Sequence, residues 1–317
     1  MGIVTSVEKY YEDAKEMLEK KDLAGFMECI GSAKILAGTD KNLLAKVTYL
    51  KVEGLYSFNQ FKSVKNAVAE ALQYNKGDEA FRLKEYKGIA LGYLGEIERA
   101  LKIFKALINE SENNFLLTRI YINISWVHLT LDKSRTNLDD AKKCLDLAKE
   151  NFEDLPNRLK IQIHNNYSVY YFYKEDYEKA VDIINNSLEY CEEQDLPGLY
   201  NNLAEIYLKY GKGSLELVKE FSDKAEIIAN KYNNQLELGK AFYTKAMAEI
   251  EDEDLFTALD TLYLSFEYFK EAEAYPYAFD SLVKINELMN NYKIDYLKSI
   301  KGSLQGKLNG AEFFKKI

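Results

Sequence analysis

Apolar residues in this chain recur at intervals of three and four, the period of an α-helix, and the long alternating runs that mark strands are missing. Seven stretches share one pattern, in which an apolar residue is followed at +3, +7 and +10 by further apolar or small ones. They read Leu23-Phe26-Ile30-Ala33, Phe61-Val64-Val68-Ala71, Ile97-Ala100-Phe104-Leu107, Leu138-Ala141-Leu145-Ala148, Tyr177-Ala180-Ile184-Ser187, Leu215-Val218-Ser222-Ala225 and Leu255-Ala258-Leu262-Ser265. All four positions fall on one stripe of a helix, and the small ones let a neighbouring helix approach closely. Another helix is predicted before each stripe. Its small residue lies twelve positions ahead of the stripe's second member, as at Ala14, Gly88, Ser168 and Ala246. In two units it lies further back, at Ser125 and Ala204, where the turns at 132–137 and 211–214 are longer. Pro156, Pro197 and Pro276 stand at or near predicted helix starts, where a missing N–H leaves nothing unpaired. The chain reads as all-α.

Successive stripes are 36 to 41 residues apart, a period that marks a repeat array. The unit resembles the tetratricopeptide repeat, a helix–turn–helix of about 34 residues. Gly88, Leu91, Ile97, Ala100, Phe104 and Leu107 fall at its signature positions, as do Tyr167, Ser168, Tyr171, Tyr177 and Ala180. Lys84 and Lys87 depart from it, standing where an aromatic and a leucine are usual. The resemblance implies a right-handed superhelical solenoid of about eight helix pairs over the whole chain. Within it, 1–37 form an N-terminal pair and 38–274 the core repeats. A degenerate capping pair and tail occupy 275–317, with Ile285, Leu288, Ile294 and Leu297 as its apolar marks.

In arrays of this kind the first helices line the concave side, so the register selects groove residues. The third unit offers Arg82 and Glu85, and the fourth Arg119, Asn123 and Trp126. The fifth offers Asn165, Asn166, Val169 and Phe172, the sixth Asn201, Asn202, Glu205 and Lys209, and the seventh Tyr243. Asn123, Asn166 and Asn202 each lie two before the small residue, on one flank of the stripe, and Asn165 and Asn201 lie on the other. An asparagine carries a donor and an acceptor, so a row of them suits both groups of a peptide backbone. The row resembles the asparagine ladder in the tetratricopeptide region of O-GlcNAc transferase. The same residues suit hydrogen bonds to the adjacent helix, and Trp126, the single tryptophan, suits a core as well as a contact.

Composition narrows the partner. A net charge of -9 and a pI near 5.1 argue against direct contact with nucleic acid, which depends on neutralising phosphates. No apolar run approaches the length of a membrane span, no basic and apolar leader opens the chain, and a cytoplasmic location is expected. Cys29, Cys144 and Cys191 are few, odd in number and widely spaced, and His128 and His164 have no ligand set beside them. No metal or cofactor is expected. Motifs of nucleophilic, metal or phosphate chemistry are missing, so the chain is expected not to be an enzyme.

The long, Tyr- and Asn-rich repeats also resemble the tetratricopeptide domains of bacterial quorum-sensing peptide receptors, including the Rap-like proteins. That resemblance implies an intracellular regulator holding a short peptide or extended protein segment and acting on a regulated partner protein; many such receptors carry a DNA-binding domain, but repeat-like pairing starts here at about Val7 and none is expected. A homodimer is left open. The alternative is a scaffold or adaptor for a folded partner.

Overall fold

A computed structural model describes residues 2–132, 137–150, 152–211 and 214–291. Among them are fifteen α-helices, of which the first fourteen form seven antiparallel pairs. The pairs are α1 (Gly2–Glu19) with α2 (Leu23–Ala37), α3 (Lys41–Ser57) with α4 (Phe61–Ala71), and α5 (Gly77–Tyr93) with α6 (Ile97–Ile108). They continue as α7 (Asn114–Trp126) with α8 (Leu138–Lys149), α9 (Asn157–Tyr173) with α10 (Tyr177–Ser187), α11 (Leu196–Tyr210) with α12 (Leu215–Lys231), and α13 (Gln235–Glu251) with α14 (Leu255–Glu271). Helix α15 (Tyr275–Asn291) packs on α14. The expected second helix of that last pair, with Ile294 and Leu297, and the tail to 317 lie outside the described residues.

Each of the seven stripes begins at the first residue of an even-numbered helix. Their second members, from Phe26 to Ala258, are all 0% exposed, which places the seven helices in one register. The small residues of the odd-numbered helices are equally enclosed, Ala14, Ser125, Ser168, Ala204 and Ala246 at 0%. Close approach is the reason for their size. A Cβ added at Gly88 would lie 2.5 Å from the Phe104 ring, which fills the space between α5 and α6.

Several of the turns share one recipe as well. A residue in the left-handed region ends the first helix and the next residue caps the second. Glu175 (φ 59), Asn233 (φ 49) and Glu253 (φ 62) take the first role. The side chains of Asp176, Asn234 and Asp254 take the second, each accepting a backbone N–H three residues on. In the fourth pair α7 runs on past Trp126 as a π turn (Val127–Leu131), closed by the Asp132 N–H on the Val127 carbonyl at 2.9 Å. That turn buries Val127, Leu129 and Leu131 and takes up part of the long spacing between Ser125 and Ala141.

The array curves far enough for its last helix to meet its early pairs. The Lys62 N–H donates to the Glu273 carboxylate across 211 residues of sequence. Tyr93, at the end of α5, stacks on Phe61 at 4.2 Å and lies 4.8 Å from Trp126 and 6.5 Å from Tyr277 of α15. The odd-numbered helices therefore surround a central space.

Candidate functional site

That central space contains a cavity of about 360 Å³, within the range of small-ligand sites. Nine of the fourteen residues expected in the groove line it: Asn123, Trp126, Asn165, Asn166, Val169, Asn201, Asn202, Glu205 and Tyr243. Tyr93, Tyr173 and Tyr277 complete its aromatic walls, with Gln162, Glu237, Lys240 and Asp280 among the polar ones. A second cavity of about 190 Å³ adjoins it and holds Arg82, Glu85 and Arg119. Tyr56, Ile89, Asn123 and Gln162 line both, so the two are continuous.

The five asparagines are not equivalent. Asn166 is 5% exposed, and its amide NH2 donates to the Ile122 carbonyl (3.0 Å) and Ser125 Oγ (2.9 Å), tying α9 to α7. Asn201 is 2% exposed and ties α11 to α13 through the Glu237 carbonyl (2.9 Å) and carboxylate (2.8 Å). Its Oδ1 is buried without a partner. Both were expected as exposed groove contacts, and in both the amide donors are committed to helix packing. Asn123 donates to Glu85 Oε1 at 2.9 Å. Asn202 and Asn165 are half-buried and meet each other, Nδ2 to Oδ1 at 2.5 Å, with no other hydrogen bond among the described residues. This contact joins the two flanks of the stripe. Asn165 keeps an NH2 and Asn202 an oxygen for the cavity, and turning both amides together still leaves one donor and one acceptor between them.

Three further expectations need correction. Glu85 is 1% exposed, enclosed by Arg82 Nη1 (2.7 Å), Arg119 Nε (3.0 Å) and Asn123, so it organises the wall and presents no face of its own. Phe172 does not line the cavity; it packs edge-on against Tyr173 and against Tyr177, the first residue of the next helix. Lys209 is exposed and lines no part of the central space.

Tyr93, Glu237 and Tyr277 were not expected. Tyr93 lies five residues after Gly88, the place that Tyr173 holds after Ser168, so the register itself carries a signal for it. Tyr277 had no such signal, because the last pair is degenerate and its contact comes from closure of the array. Burial raises the Tyr93 and Tyr277 hydroxyls well above the ordinary phenol range and pushes Tyr243 up to about 12. All three stay protonated and able to donate. Burial works against the charge on Lys240, but Glu237 at 2.8 Å outweighs it, and the ammonium is held above its ordinary value.

Among the described residues no group of three His, Cys, Asp or Glu could hold a metal, and no helix is long and apolar enough to cross a membrane. His128 and His164 lie apart from the cavity, each with a buried Nδ1 lacking a partner.

No family model matches the chain. The RNA polymerase-associated protein CTR9 of Saccharomyces cerevisiae is 25% identical over 236 residues, 70% of this chain, and the chain spans 20% of that relative's length. Among solved structures, a Rap protein complexed with competence and sporulation factor superposes with a TM-score of 0.61 at 13% identity, covering 97% of this chain and 87% of the other. A tetratricopeptide repeat protein from Parabacteroides merdae is 15% identical with a TM-score of 0.49, over 85% of this chain and 98% of that one. By fold this chain is a tetratricopeptide-repeat protein, and its architecture resembles that of a Rap protein along nearly its whole length.

Proposed function

We propose that the chain is a non-enzymatic binding protein that holds a short, extended peptide in its central groove, as an intracellular regulator of the peptide-receptor kind. One solenoid of N-terminal pair (1–37), core repeats (38–274) and capping segment (275–317) carries the groove. The observation behind this reading is the Asn165–Asn202 pair on the cavity wall. It offers an NH2 and an oxygen side by side in a cavity that Tyr93, Tyr173 and Tyr277 also line, which matches the alternating C=O and N–H of an extended backbone. The Rap protein of similar fold was crystallised in complex with competence and sporulation factor, which supports a binding role of this kind. Action on a regulated partner protein and a cytoplasmic location belong to this proposal. A scaffold for a folded partner is the alternative; it would use outer surfaces and has no need of this lining.

Native mass spectrometry of the protein purified from its own host should reveal a co-purifying peptide. The Asn165→Ala/Asn202→Ala double variant should release it while keeping the helical content. Retention of the peptide at full affinity by that variant would sink the groove assignment.

A further inference from the structure

Resting on the peptide-groove reading, we propose that the wall carrying Arg82, Arg119 and Arg158 is a carboxylate subsite that receives an anionic group of the bound peptide. The chain has only five arginines against a large excess of lysine, and three of the five line one cavity. Arginine differs from lysine in presenting a planar fork that matches a carboxylate, so the concentration of arginine there is a chemical choice and not a matter of charge alone.

Glu85 positions two members of the wall. It holds Arg119 through Nε only, at 3.0 Å, and Arg82 through Nη1 at 2.7 Å, while Arg82 Nη2 donates to the Tyr86 hydroxyl at 2.9 Å. The terminal nitrogens of Arg119 make no hydrogen bond within the described residues and are not buried. Arg158, in the first turn of α9, is exposed and has no hydrogen bond or ion pair among the described residues. At this end of the groove three cations thus face two carboxylates, Glu53 and Glu85, a local excess of one positive charge, while Glu205, Glu237 and Asp280 line the adjoining part with Lys240. One carboxylate on the ligand balances that excess. Lys21, which lines a neighbouring cavity together with Arg158, reports the same field: burial first, then Arg158, lowers its affinity for a proton. Because Asn123 and Gln162 line both cavities, a peptide held at the asparagine pair can reach the arginines without leaving the groove.

The carboxylate could be the peptide's C-terminus or an Asp or Glu side chain, and the test separates them. A positional-scanning hexapeptide library is made in three forms: acid-free with a C-terminal amide, acid-free with a free C-terminus, and amidated with one Asp or Glu. Binding to the full chain and to Arg158→Gln is read by fluorescence anisotropy. At least one carboxylate-bearing form should bind the unaltered chain about tenfold more tightly than the acid-free amides, the scale of one charge-assisted hydrogen bond. Arg158→Gln should abolish that advantage while leaving the acid-free amides unchanged. The form that gains identifies the source of the carboxylate. Equal binding of all three forms, unaltered by Arg158→Gln, would overturn the subsite and leave the groove standing. Binding of no form to the unaltered chain would overturn both.

Discussion

Asn166→Ala separates a packing asparagine from a ligand-facing one. The residue is 5% exposed, and its NH2 makes two hydrogen bonds at 3.0 and 2.9 Å to α7. A neutral internal hydrogen bond contributes about 1 kcal/mol net, so losing both costs about 2 kcal/mol. Ser125 Oγ still donates to the Ile122 carbonyl at 2.8 Å, which keeps the cost from rising further. Asn202 loses one half-buried bond that water can replace, so Asn202→Ala costs about 0.5 kcal/mol. Urea unfolding followed by far-ultraviolet circular dichroism measures both, with a shared m-value as the check that the array unfolds as one unit. A third variant sharpens the test. Asn166→Asp keeps the volume but sets a carboxylate against the Ile122 carbonyl, so it should be worse than alanine at neutral pH and should recover as acid protonates it. Stability of Asn166→Ala within about 0.5 kcal/mol of the unaltered chain, or a loss in Asn202→Ala of equal size, would refute the division of labour among the asparagines.

Gly88→Ala should destabilise by about 1–3 kcal/mol, because its Cβ would lie 2.5 Å from a fully buried Phe104 ring; unchanged urea stability would contradict the packing. Removing the buried carboxylate in Glu85→Ala leaves Arg82 and Arg119 facing each other without it and should cost about 3 kcal/mol, with the charge-neutral Glu85→Gln recovering only part. Burial holds His128 and His164 below the ordinary histidine range, so the folded state takes up their protons less readily than the unfolded chain. Their contribution is complete above about pH 6.5 and is lost as the pH falls below it. His128→Gln should flatten the stability loss between about pH 6.5 and 5, and an unchanged slope would refute a buried neutral imidazole.

The seven stripes were legible because core packing enforces +3, +4, +3 spacing. An exposed or charged residue at Ala100 or Ala180 would break the pair, so the signal has no freedom to drift. The groove was legible as a face, since the same register that buries Ser168 turns Asn165 and Val169 to the inside. What the register could not supply was the direction of each side chain on that face. Asn166 and Asn202 occupy the same position in successive units, yet one meets a serine hydroxyl and a carbonyl on α7, and the other meets an asparagine on α9. The difference lies in the neighbour, 37 to 44 residues away. Glu85 went astray for the same reason. An acid at a solvent-facing register position reads as exposed until Arg119 and Asn123 of the next unit close over it. Phe172 is missing from the cavity lining and packs instead on Tyr177, a partner across the following turn that its register position does not reveal.

The contact between Tyr93 and Tyr277 changes what kind of spring this array is. An open solenoid can wind or unwind at one end without notice at the other, since each unit touches only its neighbours. Here the coil is hooked to itself at Phe61, Tyr93 and Tyr277 and at Lys62 and Glu273, so the rotations of all the intervening pairs must sum to one fixed closure. A substitution that tightens a single pair cannot be absorbed where it occurs. It must be shared around the ring or released at the latch, and the bore at the centre widens or narrows with it.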